Sequence, residues 1–324
     1  MALSGPEKRA KSARRLLWAV DSIVNYAVLT VLLAMLAFGI YSLWDTEQVY
    51  VSAESAQYEV YKPAEDSASF EELRAINPDV FGWLTIYGTG VDYPLLQGED
   101  NIVYLSTDAT GQYSTAGSIY LDSHNAKDFS DYNSIIHGHH MESSAMFGDL
   151  SKFSDKSFFD THQYGNLYVD GRDYGIVFFE YALVDAYDDW VYKRPITDKA
   201  AQEEFLEQIM SKADFLRQAD QRSAEHILIL NTCNASITNG RSVLIGYLTD
   251  QVYENPFYVE PQPKPVHQGL ERITNWREST QLPLWLIMII LLLLLIMVLI
   301  VFDTVSKQIR RKKALRERSC KKEG

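Results

Sequence analysis

Two stretches of this chain carry no charged residue, residues 23–44 and 282–302. At 22 and 21 residues, each matches the ~20 apolar residues that carry a helix across a bilayer. The first contains Asn25 and Thr30, which a single anchor tolerates; the second is uninterrupted Leu, Ile, Met, Val, Trp and Phe around one proline. A cleaved signal peptide is the rival reading of the first. Its apolar run exceeds the usual ~7–15 residues and ends in Ile-Tyr-Ser-Leu-Trp, with no small-residue cleavage pattern. The expectation is therefore two transmembrane helices.

Charge orients them. Residues 1–22 carry five Lys/Arg against two acids, and residues 303–324 carry nine against three. Basic flanks stay on the cytoplasmic side, so both termini are expected inside and residues 45–281 outside. That outer segment holds 16 basic and 38 acidic side chains. A net charge of -22 there speaks against nucleic acid, whose binding depends on neutralising phosphates with Lys and Arg. The two cysteines fall on opposite sides of the membrane in this topology, Cys233 outside and Cys320 in the basic tail, so they do not pair. Cys233 is then either a buried apolar residue or a reactive thiol.

The expected organisation is a cytoplasmic N-terminus (1–22), a span (23–44), an acidic stalk (45–69), a folded domain (70–254), a Pro-containing linker (255–281), a second span (282–302) and a cytoplasmic tail (303–324). Ser69-Phe-Glu-Glu72 is a capping box opening a short helix that Asn77-Pro78 stops. Runs rich in Val, Ile and Tyr follow at 82–86, 102–104, 117–121, 134–138, 167–169, 174–181 and 182–187, as strands prefer. A helix is expected over 197–216, where Phe205, Leu206, Ile209, Met210 and Ala213 share one face. Two more apolar runs, 226–230 and 242–248, are short enough to be buried strands. Many strands with few helices indicate a mainly β domain with helices, an α+β fold of β-barrel type.

Two constellations carry chemistry. One is His137-Gly-His-His-Met141, with three of the seven histidines; the other is Leu230-Asn-Thr-Cys233, with Arg241 eight residues later. Each apolar run delivers its polar residues where a strand gives way to a loop, a rigid support for exposed chemistry. A cysteine with a histidine offers nucleophilic catalysis, the thiolate attacking a carbonyl and the imidazole protonating the leaving amine. An arginine supplies a permanent charge for an oxyanion. Residue type alone leaves the plainer readings open: a core cysteine, an inward histidine, a surface arginine.

Asn77-Pro-Asp-Val-Phe-Gly-Trp-Leu84, Val91-Asp-Tyr-Pro-Leu-Leu-Gln-Gly98, Ala116-Gly-Ser-Ile-Tyr-Leu-Asp122 and Met146-Phe-Gly-Asp-Leu150 resemble, in order, the landmark segments of class B sortases. His137-Gly-His-His-Met141 resembles that family's Tyr-Gly-His-Asn-Met, and Leu230-Asn-Thr-Cys233 the end of its Thr-Leu-x-Thr-Cys. The resemblance covers roughly residues 70–250. It implies an eight-stranded β-barrel and a membrane-anchored cysteine transpeptidase of Gram-positive bacteria that needs no cofactor or metal. Its partners would be secreted proteins with a C-terminal sorting signal, and its acceptor an amino group on peptidoglycan or a pilin lysine. The register makes His139, Cys233 and Arg241 the catalytic residues, with Thr232 and Leu230 supporting substrate or oxyanion.

Three positions depart from the family pattern: His137 replaces the usual Tyr, His140 the usual Asn, and Ile229 the first Thr. Strand alternation puts His137 on the same face as His139 if the strand continues, so His137 is the rival for the catalytic role and His140 would point away; beside His139, both are candidates to support the site. The C-terminal span is closer to pilus-building class C enzymes, but residues 45–70 lack their Asp-Pro-aromatic lid, and Leu282-Pro-Leu-Trp285 lacks the Thr-Gly of a cleavable wall-sorting signal. Two other classes compete. A zinc hydrolase would use the histidine cluster with Asp122 and His124, but Met141 and Glu142 stand where its signature needs Asp and His. A non-catalytic surface scaffold would bury Cys233.

Overall fold

In the computed structural model of the chain, the described residues are 5–63, 68–142, 144–188, 190–192, 196–234 and 238–258, with isolated positions between 289 and 304. The first helix, α1 (Gly5–Ala53), runs 49 residues, and its segment Leu16–Thr46 is long and apolar enough to cross a membrane. Thr30 is accommodated because its Oγ1 donates to the Tyr26 carbonyl one turn back, at 2.8 Å. This is the one candidate span among the described residues. Apart from those isolated positions, the second expected span lies outside them, as does the linker from residue 259 onward.

Part of the acidic stretch expected as a stalk is folded. It forms a 3-10 helix over Ser55–Tyr61 whose Tyr58 is buried and meets Tyr93 edge-on at 6.3 Å. Lys62 then pairs with Asp92 at 2.6 Å, and Asp92 also accepts from Trp83 Nε1 and Thr85 Oγ1. Helix α2 (Ala68–Ile76) follows and stops where Asn77 folds its side-chain oxygen onto the Asp79 amide.

The chain then lays down strands β1 (Val80–Ile86), β2 (Asp92–Leu96), β3 (Ile119–Leu121) and β4 (Asn133–His137), a short helix α3 (Lys156–Thr161), and strands β5 (Tyr164–Val169) and β6 (Arg172–Asp185). Helix α4 (Lys199–Ser211), the two-residue β7 (Phe215–Leu216), β8 (Ile227–Asn234) and β9 (Gly240–Thr249) complete the domain. Sheet order is β5-β1-β2-β3-β4-β8-β9-β6, and β6 pairs back onto β5. Eight strands therefore close a barrel, with β7 added outside on β6. Closure removes the exposed edges that an open sheet leaves.

The apolar runs at 226–230 and 242–248 are continuous because their strands are covered on both faces. Leu228, Leu230 and Leu244 join the barrel interior with Leu84, Leu95 and Phe178. Their neighbours Ile227, Ile229, Val243 and Ile245 face the other way, into a second cluster with Phe205, Leu206 and Ile209 of α4. Asp198 caps α4 by accepting from the Ala201 amide at 2.9 Å. The helix ends earlier than its apolar period suggests, because residues 215–216 pair with β6 instead. After β9 the chain returns to the barrel: Tyr253 stacks on Tyr164 at 4.1 Å and Phe257 on His162 at 4.4 Å.

One polar residue sits badly in this interior. Glu180 of β6 is fully buried, between Ile245 and Leu216 in the sheet, and neither carboxylate oxygen has a hydrogen-bond partner. Burial pushes its pKa from the ordinary 4.5 up to about 8. The folded state then holds a proton that the unfolded state has lost, so stability falls as pH rises from about 4.5 to about 8 and levels off above. A Glu180→Met variant keeps the volume without the charge. We expect it to flatten that slope and to be more stable than the wild type at pH 8, read as melting temperature against pH. A wild type with a flat profile across this window would contradict the expectation.

Candidate active site

The face of β8 and β9 that packs under α4 continues past it as a polar surface. By strand alternation Asn231 and Cys233 follow Ile227 and Ile229, and Arg241 precedes Val243 and Ile245. Cys233 and Arg241 are direct partners in the antiparallel ladder. Cys233 is a free, exposed thiol, and Arg241 Nη1 lies 2.5 Å from its Sγ. The eight-residue separation in sequence thus becomes a contact across a hairpin. An exposed thiol held against a guanidinium is the arrangement of a nucleophile with an anion-stabilising neighbour.

The histidine segment is stitched to the same place. Parallel pairing of β4 with β8 sets His137 opposite Asn231. Beyond it the Gly138 amide donates to the Asn231 carbonyl at 3.3 Å, and Thr232 Oγ1 donates to the Gly138 carbonyl at 2.7 Å. Only glycine fits here, since a Cβ on Gly138 would fall 2.5 Å from Ile119 Cδ1 and 2.8 Å from Phe147. The strand ends at His137, so simple alternation does not reach the next two residues.

The three histidines have different surroundings. His139 is half-buried, and its Nε2 lies 2.8 Å from the Leu105 carbonyl. Donating Nε2–H there leaves Nδ1 as the working nitrogen. His137 places Nε2 3.1 Å from the Asp122 carboxylate and Nδ1 3.3 Å from Asn231 Nδ2. His140 bridges to Met146 in an isolated pair, with its Nδ1 buried and unpartnered.

The two residues expected to support substrate or oxyanion are both tied into the fold. Leu230 is fully buried in the barrel, and the Thr232 hydroxyl is engaged by Gly138. Asn231 and the Leu105 carbonyl join the site without having been marked by sequence; no sequence signal distinguishes a main-chain oxygen. Tyr120 joins too. Its phenol, pushed up to about 12 by burial and then by Asp122, stays neutral and donates to the Asn101 carbonyl at 3.1 Å.

No family model matches the chain. A solved class B sortase of Streptococcus pyogenes superimposes on it with a TM-score of 0.51 at 35% identity, over 57% of this chain and all of that one. Barrel and site together define a sortase, a cysteine transpeptidase. Over 180 residues the chain is 32% identical to sortase B of Listeria monocytogenes, covering 55% of this chain and 72% of that protein. Over 182 residues it is 30% identical to sortase B of Staphylococcus aureus, covering 55% and 73%. The chain belongs to the sortase B family. This membership disfavours both the zinc hydrolase and the non-catalytic scaffold.

Proposed function

We propose that Cys233 is the nucleophile, His139 the general acid and base, and Arg241 the oxyanion-stabilising group of this transpeptidase. The Cys233 thiolate attacks the Thr carbonyl carbon of the peptide bond that follows a Thr in a C-terminal sorting motif, and the carbonyl electrons move onto oxygen beside Arg241. The oxyanion collapses, the C–N bond breaks, and His139 gives its proton to the departing amine. A second amine, on peptidoglycan or a pilin lysine, loses a proton to His139 as it attacks the thioester, and the thiolate leaves. The hydrogen bond from His139 Nε2–H to the Leu105 carbonyl keeps the ring oriented and leaves Nδ1 to exchange the proton. Thr232 supports the site by fixing Gly138, and Leu230 by packing beneath it. A pilin acceptor has indirect support from the S. pyogenes relative, which is described as involved in pilus biogenesis.

The observation that carries this reading is the contact of the exposed Cys233 thiol with Arg241. Incubating the full chain with a Thr-containing peptide library should add an acyl mass to the peptide bearing Cys233. An adduct elsewhere, or none with any peptide, would sink it.

The proposed setting is a cell membrane crossed twice, with the barrel outside, residues 45–69 and 255–281 leading to it, and residues 1–22 and 303–324 in the cytoplasm. The basic flanks support it. Protease added to intact protoplasts is expected to digest the barrel and spare tags at both ends. Loss of the C-terminal tag would show that residues 282–302 do not hold the tail inside.

A further inference from the structure

A second polar cluster, joined through His137 to Asn231 on the strand that carries the thiol, is not used by the acyl-transfer steps. At its centre is Asp122, 1% exposed. One carboxylate oxygen accepts from the His124 amide at 3.0 Å and lies 3.1 Å from His124 Nδ1. The other accepts from Asn101 Nδ2 at 2.8 Å and meets His137 Nε2 at 3.1 Å. The two histidines approach different oxygens, so the group is a hydrogen-bond junction rather than a cage turned toward an ion.

From this junction two lines run to the reacting groups. On one side, His137 gives Nε2–H to Asp122, which leaves Nδ1 to accept from Asn231 Nδ2 at 3.3 Å. Asn231 Nδ2 also reaches the Tyr192 hydroxyl at 3.2 Å, and Asn231 lies two residues before Cys233 on the same strand face. On the other side, Asn101 ties Asp122 to a turn. Its Oδ1 accepts from the Ser123 amide and its carbonyl from Tyr120 Oη. The 3-10 turn over Val103–Leu105 that follows ends in the carbonyl that accepts from His139. The His137 ring also packs on Tyr120, with centroids 5.3 Å apart.

The replacement of the family's usual tyrosine now has a physical reading. A phenol has one polar atom, at the tip of its ring. An imidazole has two, and it can join partners on different sides. At residue 137 those partners are a buried carboxylate and the amide that precedes the nucleophile.

We propose that His137 is a positioning residue for transpeptidation, joining Asp122 to Asn231 so that the strand end carrying Cys233 and the turn that orients His139 are held together. The proposal rests on the assignment of Cys233 and His139 as the reacting groups. Misplacing such groups by a fraction of an ångström slows the chemical step while leaving peptide binding largely intact.

The test uses the full-length chain in detergent micelles and one peptide from the Thr-containing library that acylates Cys233. His137→Phe keeps the ring against Tyr120 and removes both polar contacts. Its single-turnover acylation rate at saturating peptide should fall about 10–100-fold, the range typical of removing an orienting partner, with the apparent peptide affinity and melting temperature held. His137→Gln restores a donor and an acceptor and should recover most of that rate. The double variant His137→Phe/Asp122→Asn should be no slower than the slower single variant, because both break one network. Asn101→Ala, at the far end and in contact with no reacting group, provides a reading independent of the histidine and should slow the same step. His137→Phe at the wild-type rate overturns the proposal, as does a loss confined to peptide affinity, a His137→Gln as slow as His137→Phe, or an Asn101→Ala without effect. A wild type that no peptide acylates removes the Cys233 assignment and the proposal together. A reactive wild type with indifferent variants removes the proposal alone.

Discussion

Cys233→Ala is expected to abolish acyl transfer and leave the barrel folded. Cys233 is exposed at the end of β8, so truncating it opens no core cavity, and surface substitutions of this kind usually stay within about 0.5 kcal/mol. The melting temperature should barely move. Activity should fall at least ~10⁴-fold, because removing the nucleophile of a catalytic set leaves only what binding and oxyanion stabilisation supply. In the proposed topology the second cysteine, Cys320, sits in the basic tail across the membrane and does not substitute. The measurement is single-turnover release of the leaving peptide, with circular dichroism of the same sample. A folded variant that keeps more than a trace of transfer would end the cysteine mechanism.

Much of this architecture is legible in the sequence where the controlling forces are local or strictly periodic. The apolar runs at 226–230 and 242–248 become central strands because β-branched residues covered on both faces suit a sheet interior. Asp198 starts α4 as an N-cap should. Failures occur where short-range and long-range terms compete. Residues 102–104 look like a strand, yet Asp100 accepts from the amides of Ile102 and Val103, and such side-chain bonds favour a turn over a ladder. Phe215 and Leu216 continue a helical period. The chain leaves the helix there because Asp214 and Arg217 donate their amides to the Tyr181 and Phe179 carbonyls, partners more than thirty residues away that no local pattern reveals. The runs at 174–181 and 182–187 are one long strand, β6, for the same reason: β9 pairs along most of its length.

The site divides the same way. Cys233, Arg241 and the histidine cluster are legible as residue types at strand ends. Their contact is not, because an eight-residue spacing becomes a cross-strand pair only once the hairpin of β8 and β9 has formed. Expecting alternation to continue from His137 to His139 fails physically at Gly138. That residue is pressed against Ile119 and Phe147, and the strand stops before it.

His139→Ala is expected to reduce acylation by ~10²–10⁴-fold, the contribution of a general acid and base, whereas His137→Ala costs about 10–100-fold and His140→Ala least. The ranking follows from what each ring nitrogen faces. A proton shuttle needs one nitrogen fixed and the other able to exchange a proton with substrate. His139 meets this condition, with Nε2 held by the Leu105 carbonyl and Nδ1 left to work. His137 does not, since Asp122 and Asn231 engage both of its nitrogens, and moving a proton through it would break the network that holds Asn231. His140 has a buried, unpartnered Nδ1 and pairs with Met146, so it has the weakest claim. Single-turnover acylation of each variant on one peptide separates the three. Wild-type-like rates in His139→Ala beside a dead His137→Ala would transfer the acid–base role to His137, because a residue that only positions others can be bypassed slowly, whereas the leaving amine cannot depart without its proton.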